Sequence, residues 1–116
     1  MRENKTVEKP WGYELIWAHT NTYVGKYLYI ERGHKLSKQY HEKKDETIMV
    51  LSGRLKLEIG TGKDMVEHMM KPYDSYHITP GTVHRFIAAY GPAHLVEVST
   101  TELNDVVRLE DDYDRS

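Results

Sequence analysis

The stretch that decides the fold reads Gly33-His34-Lys35-Leu36-Ser37-Lys38-Gln39-Tyr40-His41-Glu42-Lys43-Lys44-Asp45-Glu46-Thr47-Ile48-Met49-Val50-Leu51-Ser52-Gly53. Gln39 and His41 stand two apart, so a strand puts both side chains on one face. The polar run from Glu42 to Asp45 reads as a turn. Glu46 then opens a second strand, and an antiparallel return carries it back beside His41. Thr47 to Leu51 is a continuous apolar run, as expected of a strand buried on both faces.

Working outward, Gly and Pro punctuate the chain into segments of about 5–9 residues, the spacing of an all-β sandwich or barrel. Arg54-Leu55-Lys56-Leu57-Glu58-Ile59 alternates polar and apolar, so one face is buried and the other wet. Lys26-Tyr27-Leu28-Tyr29-Ile30-Glu31 puts Leu28 and Ile30 on one face and two tyrosines on the other. Further strands are expected at 75–79, 85–89 and 94–98, with a hairpin loop over 60–64. Helical periodicity is weak everywhere, and the best candidate for a short turn or helix is 104–113. Residues 1–12 read as an extended N-terminal arm, because Pro10 biases Lys9 away from helix. Trp11 and Trp17 are expected to anchor that arm.

Some thirty residues beyond Glu46, Ile78-Thr79-Pro80-Gly81-Thr82-Val83-His84-Arg85 supplies a tight turn and then a histidine at a strand start. Four groups can therefore converge: Gln39, His41, Glu46 and His84. This mixed nitrogen and oxygen set suits one borderline or hard divalent ion, such as Zn, Mn, Fe, Co or Ni. Positions not taken by protein ligands stay open for substrate or water.

The composition bounds the alternatives. The chain has 116 residues, within the size of one domain of roughly 100–150 residues, and residues 1–116 read as a single domain. It has no cysteine, which excludes a disulfide framework, a thiolate-bound zinc and a cysteine nucleophile. Sixteen basic against eighteen acidic residues give a net charge of −2, which suggests no nucleic-acid surface. No apolar run approaches the roughly 20 residues that span a bilayer, and the first residues lack the apolar stretch of a signal peptide. A cytoplasmic location without membrane contact is expected. So is a homodimer, formed through the arm with Trp11 and the tyrosine-rich strands.

The pattern Gly33-x5-Gln39-x-His41-x4-Glu46-x6-Gly53, followed by Pro80-Gly81-x-x-His84, resembles the two-motif signature of the cupins, which are double-sheet jelly rolls. Cupins usually carry a histidine where this chain has Gln39. In that departure the chain is similar to the mannose-6-phosphate isomerase-like (type II) cupins, often fused behind a nucleotidyltransferase. The likeness extends to Lys9-Pro10-Trp11-Gly12-Tyr13-Glu14, to Leu36-Ser37-Lys38-Gln39-Tyr40-His41, to Gly81-Thr82-Val83-His84-Arg85, and to Val96-Glu97-Val98 with 107–115. It covers nearly the whole chain. The resemblance implies a jelly-roll barrel, one divalent metal, and aldose–ketose isomerisation of a hexose 6-phosphate as small-molecule substrate. The metal would hold the substrate oxygens at C1 and C2, and a base would move a proton between those carbons. No residue is assigned as that base.

Two departures bear on substrate. The nucleotidyltransferase is absent, so no sugar-nucleotide synthesis is expected. Lys44 stands where the family usually has Arg, and meets a phosphate as a point charge without the bidentate fork. The cations available for phosphate are Lys26, Lys44, Arg85, Arg108 and Arg115, although alternation points Arg85 away from His84. Of the remaining histidines, His77 is the one expected to line the cavity. The run Glu110-Asp111-Asp112 reads as solvated, and Met65, Met69 and Met70 read as core or interface filler. Two other functions compete with the isomerase: a non-catalytic sugar or sugar-nucleotide binding module, and an Fe(II) dioxygenase.

Overall fold

The structure is a computed structural model, and it describes residues 4–113. The described residues form strands β1 (Lys5–Lys9), β2 (Gly12–His19), β3 (Val24–Ile30), β4 (Lys38–Tyr40), β5 (Glu46–Ser52), β6 (Leu55–Ile59), β7 (Val66–Met70), β8 (Ser75–Ile78), β9 (His84–Ile87), β10 (Ala93–Ser99) and β11 (Val107–Glu110). One 3-10 turn, Gly62–Asp64, sits in the β6–β7 hairpin. The expected all-β jelly roll is present. A six-stranded sheet runs β1-β2-β3-β10-β5-β8, and a five-stranded sheet runs β11-β4-β9-β6-β7. Every pairing is antiparallel, and from β3 onward the chain crosses repeatedly between the sheets.

The two sheets bury one core between them. Leu28, Ile30, Ile48, Val50, Ile78 and Leu95 come from the first sheet; Leu55, Leu57, Met70 and Phe86 come from the second. Each side chain of this size stabilises the fold by about 1.5–3 kcal/mol on burial. Alternation explains which residues take part. In β5, Glu46, Ile48 and Val50 are buried while Thr47, Met49 and Leu51 are only half-buried. The apolar run 47–51 is thus covered fully on one face, not both.

The inner face of the six-stranded sheet changes character along the barrel. In register, Lys5, Ile16, Lys26, Glu97 and Ile48 form one row, and Glu14, Leu28, Leu95 and Val50 form the next. The core therefore occupies one end and a cluster of charges the other.

Three further expectations are corrected. The segment expected as a C-terminal turn or helix contains β11, which pairs with β4; Arg108 lies opposite Gln39 there, and a register shift follows before Glu110. Its period is two, and it supplies hydrogen-bond partners to the three-residue β4. The N-terminal arm is extended, but as β1 of a hairpin with β2, at the edge of the six-stranded sheet. Trp11 anchors this hairpin from a fully buried position, whereas Trp17 is exposed and lies against Gly25.

Candidate metal centre and cavity

His41 follows β4 and His84 opens β9, both in the five-stranded sheet; Glu46 opens β5 in the other. The site is therefore assembled across the barrel. Gln39 is the register partner of His84, which is in turn the partner of Ile59. Arg108, Gln39 and His84 share one row. The turn before β9 depends on Gly81, whose φ is +82°, and its N–H donates to the carbonyl of His41 at 2.7 Å. That bond ties the second motif to the first.

The ligand atoms of His41, Glu46 and His84 all lie within 4.8 Å of one another. All three residues are buried. Glu46 Oε1 is 3.2 Å from His41 Nε2 and 3.3 Å from His84 Nε2. His41 Nδ1 donates to the carbonyl of Asp105, and His84 Nδ1 donates to the carbonyl of Thr82 at 2.9 Å. Carbonyls only accept, so each Nδ1 carries a proton, and in a neutral ring each Nε2 presents a lone pair. Each Nε2 can then meet the Glu46 carboxylate through a proton of its own or through a cation held between them. His84 Nε2 is buried and has no hydrogen-bond partner. These donors fit a divalent ion: two imidazole nitrogens, one carboxylate oxygen, and ring tautomers fixed by outer hydrogen bonds.

Glu46 is held as a carboxylate. Burial would raise its pKa, but His41, His84 and Lys44 outweigh burial and hold it well below the usual range. Lys44 Nζ lies 3.3 Å from Glu46 Oε2 and 3.0 Å from Glu97 Oε2. Burial would lower the Lys44 pKa, yet Glu97 and Glu46 together keep it above its normal value. Glu97 is raised to about 8, by burial first and by repulsion from Glu46 second. Nearby, Lys26 Nζ meets Glu14 Oε1 at 3.3 Å.

These groups open on a cavity of about 560 Å3, lined by Gln39, His41, Lys44, Glu46, Glu97 and Arg108 among others. Leu28, Leu36 and Phe86 form its apolar wall. Of the residues expected at the site, Gln39, His41, Glu46, Lys26, Lys44 and Arg108 line the cavity, and His84 lies against His41 and Glu46. Arg85 does not. It is buried on the other side of β9, where it donates to the carbonyl of Leu36 at 2.8 Å and contacts Asp112 at 2.9 Å and Glu110 at 3.4 Å. Glu110 and Asp112 are exposed, as expected of a solvated run, and also pin β11 through Arg85. Arg115 lies outside the described residues. His77 is exposed and pairs with Asp45 at 2.6 Å, away from the cavity.

Sequence reasoning missed Lys5, Lys9, Glu14, Glu97 and Asp105. A detectable signal existed for four of these residues. Glu97 shares a face with Leu95, Glu14 shares one with Ile16, and Lys5 and Lys9 share one with Val7: each is a charge on a face that also carries an apolar residue. Asp105 carried no local signal.

A family model described as "Cupin domain" matches residues 24–99, which run from the start of β3 to the end of β10. The chain belongs to the cupin family. Among solved structures, this cupin is similar to KdgF from Halomonas sp., with TM-score 0.72, 19% identity, and coverage of 86% of this chain and 88% of that one. It is also similar to the capsular polysaccharide assembling protein CapF from Staphylococcus aureus, with TM-score 0.82, 13% identity and 95% of this chain covered; this cupin spans only 35% of CapF. At those identities the likeness shows the fold alone. A cupin-superfamily sugar phosphate isomerase from Silicibacter pomeroyi has TM-score 0.66 and 27% identity, with 76% of this chain and 58% of that chain covered. No curated protein sequence matches this cupin. No helix among the described residues is long and apolar enough to cross a membrane.

Proposed function

We propose that this cupin is a cytoplasmic, metal-dependent isomerase of phosphorylated sugars, interconverting an aldose and a ketose such as mannose 6-phosphate and fructose 6-phosphate. The observation that carries the reading is the set His41, Glu46 and His84, of which His41 and Glu46, with Gln39 alongside, line a polar cavity of about 560 Å3. That volume falls within the roughly 300–1,000 Å3 usual for small-ligand pockets. The sugar phosphate isomerase among the similar structures lends support.

His41, Glu46, His84 and Gln39 would hold the metal, which supplies Lewis acidity toward the hydroxyl and carbonyl oxygens of an open-chain sugar. The protein does the rest. Leu28, Leu36 and Phe86 exclude water from one side of the substrate. Thr82 and Asp105 carbonyls keep both rings turned so that Nε2 faces inward. Lys44 holds Glu46 Oε2, which leaves Oε1 to the imidazoles.

The test is turnover of mannose 6-phosphate to fructose 6-phosphate by protein loaded in turn with Zn, Mn, Fe, Co and Ni. Activity that disappears in His41→Ala and His84→Ala supports the reading. Sugar binding without turnover under every metal would instead identify a binding module and overturn the enzymatic reading.

A further inference from the structure

Five cationic side chains line the cavity: Lys5, Lys9, Lys26, Lys44 and Arg108. Two are matched by carboxylates, Lys26 by Glu14 and Lys44 by Glu97 and Glu46. Those two lysines and three carboxylates leave no surplus of positive charge. Lys5, Lys9 and Arg108 make no ion pair among the described residues, so the excess cations of the cavity are these three. Arg108 Nε is buried without a hydrogen-bond partner. A buried donor in that state calls for an acceptor.

The topology places the three together. Lys5, Val7 and Lys9 alternate along β1 and all line the cavity. Arg108 sits in β11 opposite Gln39. β1 and β11 are edge strands of the two sheets, and the cavity opens between them. A small adjoining recess of about 60 Å3 is lined by Lys9 and Arg108 together with Ser37 and Gln39. Both strands lie outside the segment 24–99 that the family model matches.

We infer that Lys9 and Arg108, assisted by Lys5, form an anion subsite at the cavity mouth that takes the phosphate group of a phosphorylated sugar. The identity of the sugar rests on the isomerase reading; the anion subsite does not. Arg108 offers a planar fork suited to two phosphate oxygens, and the two lysines add point charges. Gln39 lies between this subsite and His84 in the same register row, so a bound phosphate leaves the sugar chain extending toward His41, Glu46 and His84. The barrel strands thus carry the metal ligands, and the flanking strands carry substrate selection. Lys44, expected from the sequence to meet phosphate, is committed to Glu46 and Glu97.

The experiment is calorimetric titration of the metal-loaded full chain with mannose 6-phosphate, inorganic phosphate and mannose, in wild type, Lys9→Gln, Lys5→Gln/Lys9→Gln, Arg108→Gln and Arg108→Lys. Mannose 6-phosphate should bind at least about tenfold more tightly than mannose, and each charge-removing variant should erase about tenfold of that preference. Arg108→Lys should recover part of it, and Lys43→Gln, at the exposed turn, should change nothing. Arg108→Gln risks loosening β11, so the lysine variants carry the decision: an unchanged metal affinity shows that their centre is intact. Equal binding of mannose and its phosphate overturns the inference, as does unchanged phosphate binding in Lys5→Gln/Lys9→Gln. Charge-dependent phosphate binding without turnover leaves the subsite standing and removes only the isomerase.

Discussion

The carbonyl of Asp105 accepts the Nδ1–H of His41, while its carboxylate accepts the backbone N–H groups of Glu42, Lys43 and Lys44 at 3.1, 2.7 and 2.9 Å. One residue from the loop before β11 thus orients a metal ligand and closes the turn between that ligand and Glu46. Asp105→Ala removes the clamp but none of the ligands. The carbonyl that orients His41 stays in the chain but the turn no longer fixes it, so metal affinity should fall by up to about tenfold, the low end of the effect of losing an outer partner of a metal-bound histidine. Zinc titration of the variant against wild type checks this, and an unchanged affinity would show that the turn holds its shape unaided.

The same clamp is sensitive to acid. Hydrogen bonds from Lys43, Lys44 and Glu42 hold the Asp105 carboxyl below its ordinary value of 3.8. A depressed carboxylate stabilises the folded state at pH above the unfolded value. That contribution is lost as pH falls through the lower, folded value. The amide resonances of Lys43 and Lys44 should therefore shift with a midpoint below 3.8, while the resonances of the core strands stay in place. A midpoint at or above 3.8 would contradict the hydrogen bonds described.

What the sequence made legible was local and periodic. Gln39 and His41 were placed by the two-residue repeat, Glu46 by the turn that follows, and His84 by the Pro80-Gly81 punctuation. The rest was set by partners distant in the chain. Alternation turns Arg85 away from His84, but no spacing rule names Glu110 and Asp112 as its partners or turns Lys44 to Glu97. β11 was obscured because it inverts the ordinary pattern: Arg108 faces the cavity and Leu109 is exposed. Asp105 acts partly through a backbone carbonyl, which leaves no trace in residue type.

Glu46→Gln tests the charge of the centre with little change of shape. Among the described residues Glu46 is the one carboxylate that faces both imidazoles, and a neutral amide there cannot offset a divalent cation. The loss of metal affinity should exceed that of Asp105→Ala, by on the order of 100-fold or more. Lys44 also loses one of its two carboxylates, so the metal-free variant should unfold at a lower temperature than metal-free wild type. Equilibrium dialysis with zinc and a thermal melt separate the two effects. Metal retention at wild-type affinity would remove Glu46 from the ligand set.

Two glycines with positive φ should respond differently to substitution, and the difference separates backbone strain from close approach. A Cβ on Gly81 meets nothing within 4 Å, so Gly81→Ala bears only the cost of its φ of +82°, about 1–2 kcal/mol. A Cβ on Gly12 would sit 1.9 Å from the carbonyl oxygen of Tyr29, which is backbone and cannot step aside. Gly12→Ala must therefore part β2 from β3 at that end and carry the β1 hairpin with it. It should destabilise more than Gly81→Ala in urea unfolding. Gly81→Ala should chiefly weaken metal binding, because the Gly81 N–H bonds to the His41 carbonyl. Gly12→Ala should spare the metal and weaken phosphate binding, because Lys5 and Lys9 move with β1. Finding both losses in both variants would mean that the metal centre and the edge strand are one cooperative unit and not two.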